Sequence, residues 1–377
     1  MGYLDGILDG QKLDTRWLPG VGRFFDFVTE MLGYERNSFA AGKTMGLAAY
    51  GHTVPRKDYI PVREDRHTST LFDYAETMEW VLQNGPMFDP KSEPEGYGGL
   101  LSPKWINVAR QGQEILNEDM QYLAKEALRK VGSPNLCLAG GVALSCVANR
   151  GIRDMGIFDD VFIQPAASDE GIPLGVALAA YYRKGGTRRV VMDKAYLGKA
   201  NNPLELPSVL ASSGLKHWQT DDAEVASLLA EGKIVARCQG ASEYGPRALG
   251  NRSILADPRR ANMRDIMNAQ IKHRETYRPF APSCLADYAG EYFDLDFEAP
   301  FMIIAAQVRD AWQVELPAVT HVDGSSRPQT VREDQNRPYY NLLKAFGEQT
   351  GVYCLMNTSF NDNGEPIVET YDDALRG

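Results

Sequence analysis

Apolar residues recur along the chain with helical and strand periods in alternation, and this pattern predicts an α/β protein. Residues 109–131 have apolar positions near a 3.6-residue period and predict one helix, which Gly132 would end. The stretch 135–151 (NLCLAGGVALSCVANRG) predicts a strand, a glycine turn and a helix. A short buried strand is predicted at 161–165 and a helix of small apolar residues at 171–184.

The composition changes at residues 183–193, where Gly-Gly and clustered cations follow no period, and this change predicts a domain boundary. We therefore expect two domains, 1–188 and 189–377. In the second domain, 221–233 predicts a helix that an aspartate begins and a glycine ends. A strand at 234–238 follows it directly.

The overall composition is that of a globular protein, with 44% hydrophobic residues and a net charge of −10. The acidic balance argues against a nucleic-acid partner. Five widely spaced cysteines without a Cys-x-x-Cys pair predict reduced thiols in a cytoplasmic protein. No apolar run approaches the ~18 residues of a membrane span and no secretory signal pattern is present, so we expect no membrane partner. Residues 53–97, rich in charge, Pro and Gly, predict loops.

A local excess of cations interrupts this acidic chain between Arg237 and Arg278. This stretch contains nine Lys and Arg residues and four acidic residues, a net charge of +5, and many of the cations lie beside Gly, Pro and Asn in the sequence. Arginine grips phosphate with two N–H groups and lysine acts as a point charge, so the stretch predicts a polyphosphate or nucleotide site. A solvated or internally paired charged face is the alternative, and the few interleaved aromatic residues argue against a base-stacking patch.

Two turns of the first domain are further candidates. Gly140-Gly141 would let backbone N–H groups approach an anion in front of a helix, although a plain βα turn gives the same pattern. Asp169 follows a predicted strand and precedes Glu170-Gly171, where a carboxylate suits a divalent metal or a metal-bound phosphate. A helix N-cap is the simpler explanation of that aspartate.

Two polar turns near the end of the sequence complete the set. Residues 323–326 predict a turn that carries Arg327 outward, unless this is an ordinary surface loop. A strand that runs into Asn357-Thr358-Ser359 places hydroxyl and N–H groups where a phosphate or a ribose would bind, and 361–364 is typical of a hairpin turn. The five histidines form no metal-binding pair, and no serine-hydrolase elbow or P-loop occurs.

Seven motifs, in this order, resemble the O-carbamoyltransferase family of the NodU/CmcH/TobZ type, whose members act on nodulation factors, cephalosporins and aminoglycosides. They are GKTMGLAAYG, LAGGVALSCVANRGI, QPAASDEGIPLGVALAAYY, EYGPRALGNRSILADPR, IKHRETYRPFAPS, THVDGSSRPQTV and MNTSFNDNGEPIVET. The resemblance implies an actin-like ATPase-fold domain at 1–188, similar to the tRNA threonylcarbamoyl-transfer protein, and a YrdC-like α/β domain at 189–377.

The same resemblance implies an activity. The YrdC-like domain would form carbamoyl-adenylate from carbamoyl phosphate and ATP with release of pyrophosphate. The actin-like domain would pass the carbamoyl group to a small-molecule hydroxyl, as in antibiotic biosynthesis. The implied cofactors are ATP with Mg²⁺ and a further divalent metal, Fe or another ion, in the actin-like domain. A homo-oligomer is compatible with the sequence.

Position by position, the resemblance implies a carbamoyl phosphate and ATP site formed by Arg247, Lys272, Arg278, Arg327 and Ser359. The first three would be catalytic. To this site the cationic stretch adds Arg252, and the polar strand end adds Asn357. Asp169 would bind the metal, and the nucleotide-side turn of the actin-like domain would comprise Gly140, Gly141 and Asn149.

The chain departs from the family in one respect. Family members carry a His-x-x-x-His metal pair in an N-terminal lobe, and this sequence has no such pair. We therefore expect the chain to lack that lobe and to contain only the second lobe of the actin-like domain, with an intact adenylate-forming half and an incomplete transfer half. A tRNA threonylcarbamoylation enzyme and a non-catalytic partner subunit or fragment are the alternative interpretations.

Overall fold

The structure is a computed structural model that describes residues 7–8, 11–12, 20–35, 40–53, 87–189 and 191–376. Contacts divide the chain into two compact units, of which the first contains 1–137 and 147–162 and the second contains 138–146 and 163–377. These units do not divide at residue 188, and the two domains expected from composition stay a prediction. Most of the loop-rich stretch predicted at 53–97 lies outside the described residues.

The first unit is built around one long helix. Strands β1 (Ile7–Leu8) and β2 (Gln11–Lys12) form an antiparallel pair, and the helices are α1 (Val21–Met31), α2 (Ala41–Ala48) and α3 (Pro103–Val131). Gly132 ends α3 with a φ of +70°, as the sequence predicts, but the helix begins at Pro103 rather than at 109. The helix packs closely on α1, because a Cβ added to Gly112 would lie 2.6 Å from the Val28 side chain.

The predicted strand, turn and helix at 135–151 are confirmed, as are the next strand and helix. The elements are β3 (Asn135–Leu138), a 3-10 turn at Gly141–Leu144, α4 (Cys146–Arg153), β4 (Asp160–Ile163), a 3-10 turn at Asp169–Gly171 and α5 (Ile172–Arg183). β3 pairs with β4. The glycine turn thus enters a 3-10 turn before the α-helix begins.

The remaining part of the chain contains both α-helices and strands. They are α6 (Leu206–Ser213), α7 (Asp222–Ala230), β5 (Val235–Cys238), β6 (Arg252–Ala256), α8 (Met263–Ile266), β7 (Ala281–Leu285), α9 (Ala286–Tyr292), β8 (Ala306–Gln307), α10 (Asp310–Gln313), β9 (Ser325–Ser326), β10 (Gln329–Val331), α11 (Arg337–Thr350), β11 (Cys354–Ser359) and α12 (Tyr371–Arg376). The side chain of Asp221 caps α7 by accepting from the Glu224 N–H at 2.9 Å, and Gly232 follows the helix with a φ of +89°. The predicted helix and the strand after it are confirmed.

A five-stranded mixed sheet forms the core of the second unit, with the order β10-β7-β11-β6-β5. β7 and β10 are parallel, and the other neighbours are antiparallel. The register sets Asn357 of β11 beside Ala281, which begins β7, and Ser359 beside Ser253 at the start of β6. Consequently the starts of β6, β7 and β10 and the ends of β5 and β11 meet at one edge of the sheet.

Helices cover both faces of this sheet, which gives three layers. Alternate strand residues face opposite sides: Leu255, Leu285 and Leu355 pack with α7 and α11, whereas Ile254 and Met356 pack with α8 and α9. The three leucines are almost fully buried, and burying a leucine stabilises a fold by about 1.5–3 kcal/mol. The mixed α/β class predicted from the sequence is confirmed.

The hairpin predicted at 361–364 is wrong in one respect. The chain turns there, but no strand follows β11 in the described residues before α12. The carbonyl groups of Ser359 and Asn361 accept from the Lys272 ammonium at 2.8 and 2.7 Å, and the returning chain makes a backbone hydrogen bond from the Val368 N–H to the Phe360 carbonyl at 3.0 Å. Within the described residues, no helix has the length and apolar character needed to cross a bilayer.

Candidate functional site

The predicted cationic segments reach the same edge of the five-stranded sheet. The loop 239–251 joins β5 to β6 there, and Arg278 and Arg327 lie just before β7 and β10. Ser359 ends β11 at this edge, in register with Ser253. Sequence-distant segments are thus brought together by strand pairing and not by proximity along the chain.

Five side chains from these segments form what we call the cationic cluster: Arg247, Lys272, Arg274, Arg278 and Arg327. Burial lowers the pKa of Arg247, and the charge of Arg327 lowers it further. Burial, followed by Arg278 and Arg327, lowers the pKa of Arg274 to about 9. Burial, followed by Arg274 and Arg278, lowers the pKa of Lys272 to about 8. Such mutual repulsion occurs between nearby charges with little water around them, and a polyanion would relieve it.

Arg247 occupies a loop whose glycines allow close approach. Gly245 has a φ of +117°, and a Cβ there would lie 2.8 Å from the Pro165 carbonyl oxygen. Gly250 has a φ of +111°, and its Cβ would lie 2.2 Å from the Tyr339 ring. Arg247 itself is half-buried, and its Nε has no hydrogen-bond partner in the described part of the chain.

Lys272 joins the cluster to the end of β11. Its ammonium donates to the carbonyl oxygens of Ser359 and Asn361, to Ser359 Oγ at 3.3 Å and to Asn361 Oδ1 at 2.8 Å. The Ser359 hydroxyl also donates to Asn361 Oδ1 at 2.5 Å. The structure therefore brings together Lys272 and Ser359, two predicted site residues that are far apart in the sequence.

An irregular segment delivers the cations before β7. After α8, the chain widens into a π-helix at Met267–Ile271, and His273 then takes a φ of +43°. Short π-helices and non-glycine residues with positive φ are concentrated at functional sites. In a continuous helix, residues two apart point to nearly opposite sides. The break at His273 releases Lys272 and Arg274 from that constraint.

Arg274 is one of the nine cations of the stretch Arg237–Arg278, but it is not among the site residues predicted from the sequence. Its Nε donates to Asn268 Oδ1 at 2.7 Å, and its Nη2 donates to the Pro279 carbonyl at 3.3 Å. The guanidinium lies 4.4 Å from the centroid of the Phe280 ring. Its nearness in sequence to Lys272 and Arg278, in the string IKHRETYR, is the signal that could have identified it.

Arg252, predicted as a phosphate ligand, is fully buried and is used by the protein itself. Its Nε and Nη2 donate to the Glu369 carbonyl at 3.1 and 2.9 Å. Its Nη1 donates to the carbonyls of Gln239, Gly240 and Asn251 at 2.9–3.2 Å. These contacts support a structural role in closing the loop 239–251 and give no support to ligand binding by Arg252.

Asn357, another predicted ligand, is also buried. Its Nδ2 donates to the Ala248 carbonyl at 3.1 Å and to Ser283 Oγ at 2.9 Å. Among the described residues its Oδ1 finds no hydrogen-bond partner. The side chain thus supports the residue next to Arg247 and retains one free acceptor for a ligand donor.

The turn at Gly140-Gly141 is exposed and open. Gly140 has a φ of +99°, its N–H donates to the Ala167 carbonyl at 2.6 Å, and a Cβ built on it would have no atom of the described residues within 4 Å. A Cβ on Gly141 would meet only Ser168 Oγ, at 3.4 Å. Asn149 is buried in α4, in the first compact unit. A nucleotide-side turn that joins Asn149 to Gly140 and Gly141 stays a prediction.

Asp169 is exposed and begins the 3-10 turn before α5. The described ranges contain no group of three or more His, Cys, Asp or Glu residues that could hold a metal, so metal binding by Asp169 stays a prediction. The next residue has a clearer connection: Tyr244 Oη donates to the Glu170 carbonyl at 2.5 Å. Burial and Arg327 lower the pKa of Arg247, whereas the Glu170 charge raises it, so Glu170 lies near the cationic cluster.

The fold of the second unit is a three-layer α/β fold with a cluster of cations at one edge of its sheet. Residues 226–377 match the family model for the carbamoyltransferase C-terminus, and residues 7–178 match the model for the carbamoyltransferase N-terminus. The chain belongs to the carbamoyltransferase family.

Relatives in several bacteria are similar over most of this chain. An uncharacterized protein of Synechocystis sp. is 36% identical, over 97% of this chain and 66% of its own length. Nodulation protein NolNO of Sinorhizobium fredii is 38% identical, over 91% of this chain and 51% of its own length. The 3'-hydroxymethylcephem-O-carbamoyltransferase of Amycolatopsis lactamdurans is 37% identical, over 89% and 61%. The chain thus spans between half and two thirds of the length of these relatives.

The N-terminal match corrects one expectation from the sequence. A chain that lacked the family's N-terminal lobe would not be expected to match the N-terminus model over residues 7–178, so that expectation is not borne out. The inference rested on a missing His-x-x-x-His pair. A two-residue metal motif reports on one site and not on how much of a domain is present.

Proposed function

We propose that this protein is an ATP-dependent O-carbamoyltransferase. Residues 189–377 would act as a YrdC-like domain that forms carbamoyl-adenylate, and residues 1–188 would belong to an actin-like domain that takes part in transfer. Family membership supports this proposal, together with a relative whose name states O-carbamoyl transfer to a hydroxymethyl cephem. By analogy the acceptor would be a hydroxyl group of a small molecule.

The cationic cluster is the single observation that carries the proposal. Carbamoyl phosphate and ATP are both anions, and their approach is opposed by Coulomb repulsion. Five buried or half-buried cations at one sheet edge would neutralise that repulsion. Fixed positive charges in a site with little water stabilise developing phosphate charge more strongly than they would in bulk solvent.

The proposed chemistry has three balanced steps. Water releases phosphate from carbamoyl phosphate and leaves carbamate. A carbamate oxygen then attacks the α-phosphorus of ATP, the bond to the bridging oxygen of the β-phosphate breaks, and pyrophosphate leaves. Finally, the acceptor hydroxyl attacks the carbamoyl carbon, AMP leaves, and the hydroxyl proton passes to solvent.

Each member of the cluster has a role that follows from its position. Arg247 and Arg327 would hold the phosphates of the two substrates; the charge of Arg327, after burial, lowers the pKa of Arg247. Lys272, Arg274 and Arg278 would neutralise the departing pyrophosphate. Mg²⁺ bound with ATP would supply further charge on the phosphates. The Ser359 hydroxyl and Asn357 Oδ1 would orient the carbamoyl or ribose groups.

The test of this proposal is ATP–pyrophosphate exchange that depends on carbamoyl phosphate. We expect exchange by the wild-type chain and a loss of about 100-fold or more in Arg247→Ala, because removal of one preorganised donor has that effect on many enzymes. Arg332→Ala is the matched control. Arg332 lies directly after β10, at the end of the strand opposite to Arg327, and pairs there with Glu298 and Asp334.

Three results would contradict the proposal. They are the absence of exchange by the intact chain, exchange that does not need carbamoyl phosphate, and an equal loss in the Arg247 and Arg332 variants. In a second assay, release of AMP that requires a hydroxyl acceptor would identify the transfer step.

A further inference from the structure

One acid in the Arg247 loop binds no cation of the cluster within the contacts described above. Glu243 Oε1 accepts from three backbone N–H groups, those of Leu249 at 2.7 Å, Asn251 at 2.8 Å and Arg252 at 3.2 Å. These donors follow Arg247 in the loop, and Glu243 precedes it. A single carboxylate oxygen thus closes the loop on both sides of Arg247.

Neutral side chains contact two more polar atoms of the same loop. Tyr196 Oη and Gln329 Nε2 each donate to the Leu249 carbonyl at 2.9 Å. The Gly250 N–H donates to Ser253 Oγ at 2.9 Å. Glu243 contributes an ionised acceptor to this network, and hydrogen bonds to an ionised acceptor are about twice as strong as neutral ones.

Coulomb repulsion within the cationic cluster acts on the loop that carries Arg247. Arg327 repels Arg247, so without restraint the guanidinium would move away from the cluster. A carboxylate that paired directly with Arg247 would hold it in place but would also compete with an anionic ligand. A carboxylate bound to the loop backbone restrains the loop and leaves the guanidinium available.

We propose that Glu243 is a positioning residue that fixes Arg247 in the cationic cluster through the backbone N–H groups of Leu249, Asn251 and Arg252. A role of Glu243 in catalysis rests on the proposed function, whereas its effect on anion affinity can be measured without it. Glu243 would act on pyrophosphate, the product of the adenylate-forming step, only through Arg247. Loss of Glu243 and loss of Arg247 should therefore not add.

The experiment measures the affinity for pyrophosphate by titration calorimetry in four chains: wild type, Glu243→Gln, Arg247→Ala and the double variant. We expect Glu243→Gln to weaken binding about tenfold, because a neutral amide replaces the ionised acceptor of three N–H groups. We expect the double variant to match Arg247→Ala within about twofold. Glu298→Gln is the control, since Glu298 pairs with Arg332 outside the cluster.

A purely structural role for Glu243 gives a different pattern. The two losses would then multiply in the double variant, or Glu243→Gln would bind as the wild type does, and either result overturns the proposal. Wild-type protein that binds no pyrophosphate, or binds it independently of Arg247, overturns it as well. Binding with the expected coupling but without ATP–pyrophosphate exchange would contradict the proposed function alone.

Glu243→Asp provides a second variant if the glutamine substitution prevents folding. It keeps the charge but withdraws the carboxylate by one carbon, so the same coupling to Arg247 is expected with a smaller loss. Amide hydrogen exchange adds a direct readout. The N–H groups of Leu249, Asn251 and Arg252 should exchange faster in either variant, while those of β7 and β11 should not change.

Discussion

Two arginines of one sequence motif have different roles: Arg247 lies in the loop before β6, and Arg252 is the first residue of β6. Arg247 and Arg252 lie five positions apart in the string EYGPRALGNRS and look equivalent in the sequence. Arg252 is fully buried and donates to backbone carbonyls as distant in sequence as Lys199 and Glu369. Arg247 keeps a buried Nε without a partner among the described residues. Tertiary contacts, and not residue type, therefore separate a ligand candidate from a structural arginine.

The Lys272 ammonium leads to a pH prediction at the residue scale. Burial, Arg274 and Arg278 lower its pKa to about 8, while Asp362 opposes them. Above pH 8 the folded chain loses this charge, and affinity for pyrophosphate should fall by up to tenfold per pH unit. The ratio of wild-type to Lys272→Arg affinity isolates the effect, because the ligand's own titration cancels. A ratio that does not change between pH 7 and 10 would contradict the prediction.

The same pKa fixes the sign of a stability effect. Between the folded value of about 8 and the ordinary value of 10.5, the unfolded chain holds a proton that the folded chain has lost. Stability contributed by this group therefore rises with pH in that window. Below pH 8 the buried charge opposes folding in full.

At the scale of elements, the sheet edge depends on loops that only glycine can form. Gly250 brings the Arg247 loop against Tyr339 of α11, which is fully buried and cannot move aside. The contact joins the loop to the helix layer on one face of the sheet. The position of the loop is thus set by packing as well as by hydrogen bonds.

We expect Gly250→Ala to destabilise the protein by about 2 kcal/mol or more, because the new Cβ combines positive-φ strain with overlap on a buried ring. Gly214→Ala is the matched control, because Gly214 has a φ of +67° and its Cβ would have no atom within 4 Å in the part of the chain that the structure describes; it should lose only about 1 kcal/mol. Denaturant unfolding of both variants measures the difference. Equal losses would mean that contact with Tyr339 has no energetic weight.

Local signals predict single elements better than they predict the site. Asp221, Gly132 and Gly232 mark helix ends through hydrogen bonds and φ values that depend on a few neighbouring residues, and the structure confirms them. Sheet order joins strands that are far apart in sequence, so no local pattern contains it. That order brings Arg247 close to Arg327 and buries Arg252 among backbone carbonyls. The different roles of Arg247 and Arg252 therefore could not be predicted from the sequence.

At the scale of the whole molecule, a local charge of +5 lies within a chain of net charge −10. The cluster attracts a small anion at short range, whereas the whole protein repels a long polyanion. We therefore expect filter binding to retain no tRNA at ~0.15 M salt, while ATP still binds. Salt-sensitive retention of tRNA would contradict this prediction and favour a threonylcarbamoylation enzyme.

The cationic cluster also makes the stability of the folded chain depend on the concentration of the anions that bind it. Like charges that repel in the folded state separate on unfolding, so an anion that binds only the folded state shifts the balance by mass action. When such anions are scarce, a larger fraction of the molecules would be unfolded and therefore exposed to proteolysis. Under the proposed function, the cellular lifetime of the protein would then follow the availability of ATP and carbamoyl phosphate.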